Sequence, residues 1–375
     1  MKKIVALFLI LAMAFGLVAC GNNAETPTTN KHTEATTTDN HAEPPAEETA
    51  ETPKEFNPDQ AEDAMSIEEV RTVLGAEVPV AAGTKLGAVE KSISNEFWRT
   101  LADGYEVAAK EAGITIEIQA TTDEGDEIGQ QTMTETLVAQ GVHALMMSPI
   151  SDSNLTAAVE SANEAGVATV NVNDGLIAEA NYYVGPNAYQ NGQLAAEWIS
   201  EKLGDEGQVA IVIGMPKAFA ARERTAGFKD WMTEHNSGME LVAEQNADWD
   251  RQKAKELAST WIQQYPDLKA IFCNNDGMAL GVVEAVKEAD ADILVVGVDG
   301  IGEAYDSIRN GGLDATVDSF PYYMSQVATE CTLRALAGQE LPSVVATPQA
   351  LIHSDNVDMA AADLINWVAP VYVTK

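Results

Sequence analysis

The chain has 375 residues, 46% of them hydrophobic, with a formal charge of −36. That length leaves room for two ordinary domains beyond any leader and tail. The acidity disfavours nucleic acid, because a phosphate backbone needs clustered Lys and Arg, and it disfavours polyanionic ligands for the same reason.

Lys2 and Lys3 precede an apolar run over 4–17, and Leu17-Val18-Ala19-Cys20-Gly21 follows. A charged start, a short apolar core and small residues at a cut site form an export signal. The run is shorter than the roughly twenty residues that cross a bilayer. A cysteine at the cut site resembles the lipobox of bacterial lipoproteins. That resemblance implies a signal peptide over 1–19, and lipid on Cys20 that holds the mature protein at the outer face of the cytoplasmic membrane, in the envelope or periplasm. Several acyl chains on one residue anchor stably where one does not.

Residues 21–55 contain no Val, Ile, Leu, Met or aromatic residue. Such a segment buries too little apolar surface to offset its ordering entropy, and reads as a disordered acidic tether. As a flexible coil it spans on the order of 30 Å. Ser66 and Glu69 form a capping box for a short helix over 66–75, closed by Gly75. Nothing in the sequence places that helix on the fold, and residues 20–82 are assigned as a unit to the lipidated Cys and tether.

From Thr84 onward, strand-like and helix-like runs alternate. Strands are expected at 85–89, 114–118, 144–147 and 167–172, with helices at 97–112, 127–140 and 154–165 between them. Gly113, Gly141 and Gly166 stand at helix ends, where a left-handed cap favours Gly. After a break at Tyr182-Tyr183-Val184-Gly185-Pro186 the alternation restarts. Helices are expected at 187–202, 221–234, 251–264 and 278–287, and strands at 208–213, 240–245, 270–273 and 293–298. Short-looped alternation means parallel sheets covered on both faces. About ten strands are too many for one comfortable open sheet, so the fold class is α/β with two doubly wound, Rossmann-like lobes. Crossovers between lobes are expected near Gly185-Pro186, Phe320-Pro321 and Pro348. This places 83–186 plus 320–349 in the N-terminal lobe, and 187–319 plus 350–375 in the C-terminal lobe.

Ligands of such sheets bind beyond the carboxyl ends of the strands. The residues at those ends are Lys91, Asn95, Phe97, Trp98, Asn173, Asp174, Arg224, Trp249, Asn275, Asp299 and Ser319, with Asp248, Asp276 and Arg222 nearby. Asn, Asp and Arg side chains pair with hydroxyls, and flat aromatics cover the C–H faces of a ring. This is the inventory for a neutral polyol. Each residue also has a structural reading. Asn or Asp after a strand often caps the next helix, which for Asp174 and Asp276 is as good a reading as ligand contact. Phe97, Trp98 and Trp249 suit core packing. Arg222 and Arg224 suit one ion pair, with Glu223 or Asp230, and one functional side chain. Trp231 reads as helix packing, and Cys273 and Cys331 as buried free thiols. No metal-type spacing, nucleophile–base pairing or phosphate loop stands out, so the chain reads as neither enzyme nor cofactor carrier.

Four segments carry a resemblance: Ala-Arg-Glu-Arg-Thr-Ala-Gly-Phe at 221–228, Ala-Asp-Trp-Asp-Arg at 247–251, Asn-Asn-Asp-Gly-Met-Ala-Leu-Gly at 274–281, and Val-Val-Gly-Val-Asp-Gly at 295–300. From about Thr84 to the mid-340s the chain resembles the type I periplasmic sugar-binding family. The resemblance implies two lobes joined by a three-stranded hinge, closure around one monosaccharide, and delivery to an ABC permease by a monomer without metal or cofactor. The implied sugar contacts fall on Asn95, Phe97, Trp98, Asn173, Arg224, Trp249, Asn275, Asp299 and Ser319, with Asp174 and Lys91 as additions. Ribose binders of the family have Asp-Arg where this chain has Asn173-Asp174, and Gln at Ser319, so the sugar stays open. A receptor for a signalling furanone or sugar, feeding a chemosensory or sensor-kinase system, shares the pattern and draws on Lys91. A sugar-responsive repressor is disfavoured, since no basic helix-turn-helix precedes Thr84.

Overall fold

The computed structural model describes residues 56–375. The expected signal peptide, the lipid on Cys20 and the tether over 21–55 lie outside the described residues.

Strand–helix alternation produces two sheets. The first has seven strands, all parallel, in the spatial order Met65–Ser66, Val344–Ala346, Tyr182–Gly185, Ala168–Val172, Ala144–Met147, Lys85–Glu90 and Thr115–Ala120. The second has six, in the order Ala350–His353, Ala315–Asp318, Leu294–Asp299, Leu268–Cys273, Glu206–Ile213 and Gly238–Asn246. There the edge strand Ala350–His353 alone runs antiparallel. Central strands such as Ala144–Met147 are buried along their whole length, as parallel strands covered by helices on both faces must be. Cys273 and Cys331 are buried and free.

The chain passes between the sheets three times. Strand Tyr182–Gly185 leads into helix Ala188–Leu203 of the second lobe, and strand Ala315–Asp318 into helix Pro321–Leu336 of the first. Strand Val344–Ala346 leads to strand Ala350–His353 of the second. Phe320 enters the middle crossing with φ 48°, and Pro321 opens the helix after it, where proline's missing N–H costs nothing.

Residues 56–82 depart from the tether assignment. Helix Ile67–Leu74 forms with the expected capping box, the Ser66 hydroxyl accepting from the Glu69 amide and the Glu69 carboxylate from the Ser66 amide. The helix is held on the N-terminal lobe because Met65–Ser66 adds a parallel strand beside Val344–Ala346. Ile67, Val70, Val78 and Val80 are buried in the main core. Arg71 reaches Glu330 at 2.6 Å, and Glu330 also meets Arg334 at 2.8 Å, with Glu330 and Arg334 fully buried.

The C-terminus also departs from its assignment to the second lobe. Strand Val371–Thr374 pairs in parallel with Glu77–Val80. The Trp367 ring lies 4.9 Å from Tyr323 and 5.7 Å from the Arg71 guanidinium. The last strand is thus part of the N-terminal lobe. Its partner is the pre-Thr84 segment, which carries no strand–helix alternation to reveal it.

Candidate functional site

The carboxyl ends of both sheets face each other, and the expected residues line one small enclosed space there. Its wall is Asn95, Phe97, Trp98, Glu124, Asn173 and Asp174 from the first lobe, and Arg224, Trp249, Asn275 and Asp299 from the second. The free volume left between these side chains is only about 10 Å³, about one water's worth and far below the usual range of ligand pockets, about 300–1,000 Å³.

Each wall residue is set by its element. Asn95 caps helix Glu96–Ala112, its Oδ1 accepting from the Phe97 amide at 3.0 Å. The first turn of that helix brings Phe97 and Trp98 to the wall, edge to face with centroids 4.8 Å apart. Asn275 likewise caps helix Asp276–Glu288, accepting from the Met278 amide at 2.9 Å. Both caps are also wall residues, and the second end of Asn95 is engaged too, its Nδ2 donating to Glu124 Oε1 at 2.7 Å.

Arg224 projects from helix Phe219–Glu234, which packs on helix Ala188–Leu203 through two glycines. A Cβ on Gly192 would lie 2.0 Å from the Arg224 carbonyl oxygen, and one on Gly227 would lie 1.9 Å from that of Tyr189. Only hydrogen fits there. Arg224 Nη1 donates to the Asn274 carbonyl at 2.7 Å and lies 3.4 Å from Asp299 Oδ1. Trp249 lies flat over Gly214, where a Cβ would come within 2.2 Å of the indole.

Backbone strain gathers at the site. Asn173, Asp174, Asp248 and Trp249 have φ of 58°, 56°, 54° and 65°, and Asp299 has φ 131°. Non-glycine residues held there cost of order 1–3 kcal/mol each and cluster at binding sites.

Charge in the wall is mostly paired. Asp174 is bonded to Lys91, itself fully buried. Burial pushes Asp299 well above the usual carboxylate range, against the pull of Arg224. Burial also raises Glu124, which accepts from Asn95 Nδ2 at 2.7 Å and Trp98 Nε1 at 3.1 Å. Three buried polar atoms of wall residues have no protein partner: Asp174 Oδ1, Arg224 Nε and Trp249 Nε1. An unmet buried polar group costs about 1–3 kcal/mol, so these atoms are set for a ligand that can both donate and accept.

Two expected site residues are not in the wall. Lys91 stands behind Asp174, with its ammonium 5.8 Å from the Trp98 ring. Ser319 is fully buried outside the lining, and its amide donates to the Asp299 carbonyl. Asp276 is structural. Its carboxylate accepts from Thr316 Oγ1 at 2.7 Å and from the Gly300 and Ile301 amides at 2.8 and 3.1 Å, and burial raises it to about 7. Arg222 pairs with neither Glu223 nor Asp230 but with Asp152 of the facing lobe. Trp231 stacks on His235 at 4.4 Å, away from the wall. Glu124 is the wall residue that sequence reasoning missed. It follows strand Thr115–Ala120, and the carboxyl end of that strand supplied no candidate; applying the strand-end rule to every strand would have found it.

The lobes touch around the cavity. The Ala220 amide donates to the Asp174 carbonyl at 2.9 Å, Lys217 meets Glu127 at 2.6 Å, and the Gly302 amide donates to Glu96 at 3.1 Å.

Comparison with known proteins agrees with this geometry. The family described as periplasmic binding protein domain matches residues 87–340. The ribose import binding protein of Bacillus subtilis is 34% identical over 267 residues, covering 71% of this chain and 86% of that protein. The D-ribose/D-allose-binding protein of Pseudomonas aeruginosa is 33% identical, covering 72% and 88%. A solute-binding protein from Actinobacillus succinogenes, solved with bound D-allose, is similar with a TM-score of 0.70 at 27% identity, covering 74% of this chain and all of that one. The chain belongs to the periplasmic binding protein family, among its type I sugar-binding members.

Proposed function

We propose that this protein is the extracytoplasmic solute-binding subunit of an ABC importer, and that it holds one monosaccharide between its lobes. The observation that carries the reading is the set of three unpartnered buried polar atoms on Asp174, Arg224 and Trp249, residues that line the same interlobe space as Phe97 and Trp98. Sugar hydroxyls both donate and accept, so they meet all three atoms. The apolar ring faces replace water against the aromatics, worth roughly 25 cal/mol per Å². A site built this way rejects analogues lacking the hydroxyls, because its own groups would go unpaired.

The contact set we propose is Asn95, Phe97, Trp98, Glu124, Asn173, Asp174, Arg224, Trp249, Asn275 and Asp299. Lys91 acts by holding Asp174, and Ser319 by supporting Asp299. The relatives named for ribose and allose make an aldose of that class the leading ligand. Lys91, the residue that favoured a furanone or sensor receptor, is behind the wall rather than in it, which leaves that reading without its support. We assign no catalytic step, since holding a hydroxyl requires no proton transfer.

The lobes close on the sugar, and the closed monomer docks on a membrane permease. The sequence at Cys20 supports a lipid anchor. Cys20→Ser should yield an unprocessed or released protein, and a processed Cys20→Ser product that survives a carbonate wash in the membrane fraction would remove the anchor. The sugar reading is tested by thermal-shift and calorimetric titration against pentoses, hexoses and inositols. A bound ligand raises stability by mass action, about 4 kcal/mol at a thousandfold excess over Kd. A flat response to the whole panel would overturn it.

A further inference from the structure

The three crossings are not the only links between the lobes. Residues 57–66, outside the span matched by the family, lie across the hinge with an attachment on each side. On the N-terminal lobe, Met65–Ser66 pairs with Val345 and Ala346, and Asp63 accepts from the Ser343 amide at 2.6 Å and its hydroxyl at 2.5 Å. On the other lobe, Asp59 receives the Ala188 amide at 3.1 Å and the Tyr189 amide at 2.8 Å.

Those two amides open helix Ala188–Leu203, the first element after the first crossing. A helix start leaves its first N–H groups without intrahelical acceptors. Asn187 already accepts from Gln190, so Asp59 supplies what the helix's own cap does not. Beneath the strap, Ala61 packs on an apolar cluster drawn from both lobes, with Leu176, Tyr183 and Val344 from one and Ala188, Phe219 and Ala220 from the other. Ala220 is also the residue whose amide reaches Asp174 in the cavity wall.

We propose that residues 57–66 are a fourth connection between the lobes, completed in the closed form, with Asp59 as the positioning residue that holds the second lobe against the first. The proposal rests on lobe closure as the binding step. Reopening must move the Ala188 end of the second lobe relative to the strand at Met65, which loads the Asp59 contact and the apolar cluster under it. The strap therefore slows release of a bound sugar without touching the sugar.

The contact also carries a pH signature. Burial raises Asp59 to about 7, with Glu223 adding to the rise, while the two amides and Arg224 oppose it. Tyr183, the other titratable group facing it, has its hydroxyl pushed further up by burial and stays neutral. Released into water, Asp59 returns to the ordinary carboxylate value. The docked form therefore favours the proton, and the strap weakens as pH rises toward and through about 7.

Three measurements on the whole chain test this with a sugar from the panel. In the wild type, amide exchange at Ala188 and Tyr189 should slow on sugar addition. Asp59→Ala should raise Kd by about fivefold or more through faster dissociation, the size expected for losing two half-buried hydrogen bonds. Asp59→Asn keeps an acceptor but cannot titrate. Its one oxygen can accept from only one of the two amides, so affinity at mildly acid pH should fall between those of wild type and Asp59→Ala, and the wild-type fall in affinity toward neutrality should be lost. Equal exchange with and without sugar, or an Asp59→Ala protein with wild-type dissociation rate, would overturn the strap. Scattering separates this from failure of closure. A wild type that contracts on sugar binding while exchange at Ala188 and Tyr189 is unchanged keeps closure and removes the strap. A wild type that does not contract removes both.

Discussion

At the scale of residues, several side chains that line the interlobe space also hold the fold around it. Asn95 and Asn275 both cap helices and line the cavity, and Asn95 also donates to Glu124. Asp299 and Arg224 are a buried pair whose carboxylate is pushed up by desolvation. Hydrogen bonds to charged groups are worth about 1.5–3 kcal/mol, so Asp299→Ala should weaken sugar binding by that amount, read by calorimetry. A loss smaller than about threefold, under ~0.7 kcal/mol, would take Asp299 out of the site. Gly214→Ala makes a sharper test of Trp249, because the new methyl would sit 2.2 Å from the indole and push it out of place. Affinity and the sugar-induced change in tryptophan fluorescence should both fall together, while Trp231→Phe should leave both intact. A Gly214→Ala protein with wild-type affinity would mean that Trp249 is not a wall of the binding site. The cavity was readable from sequence because a single rule, polar and aromatic residues after parallel strands, selects for it. Glu124 escaped because the rule was not carried to the strand Thr115–Ala120. Lys91 and Ser319 lie at the right strand ends, and only packing decides that their side chains stand behind the wall.

At the scale of elements, alternation of strand and helix from Thr84 to Val298 was legible because each βα unit encodes its own period, except that the segment read as a break at 182–186 holds strand Tyr182–Gly185. What was not legible is contact between segments far apart in sequence. The helix Ile67–Leu74 was recognised by its capping box, but its place depends on Arg71 meeting Glu330, about 260 residues away. The strand Val371–Thr374 depends on Glu77–Val80. These contacts make residues 65–80 part of the lobe. Arg71→Ala should lower the thermal midpoint clearly, since breaking a buried ion pair costs about 3–5 kcal/mol. Arg71 retains slight exposure, and Arg334 remains to hold Glu330, so the loss should fall at or below the low end of that range. An unchanged midpoint would mean that the segment contributes nothing to the lobe.

At the scale of the whole molecule, stability should follow several raised carboxyls. Burial lifts Asp318 to about 8 and Asp276 to about 7. A carboxyl raised on folding stabilises below its unfolded value and loses that contribution as pH climbs through the folded one. The thermal midpoint should therefore decline between mildly acid and alkaline pH, and Asp318→Asn should flatten the decline. A midpoint that rises over the same interval would contradict this assignment.

Two lobes that close on one sugar should hold it between Trp249 on one side and Phe97 and Trp98 on the other. A crystal structure of the protein grown with the tightest-binding sugar of the panel tests it most directly. One sugar should lie in this space, its ring between those aromatics and its hydroxyls within hydrogen-bond distance of Asp174 Oδ1, Arg224 Nε and Trp249 Nε1. A sugar bound outside the interlobe space, or one inside it that leaves all three atoms unpaired, would mean that these residues do not form the binding site.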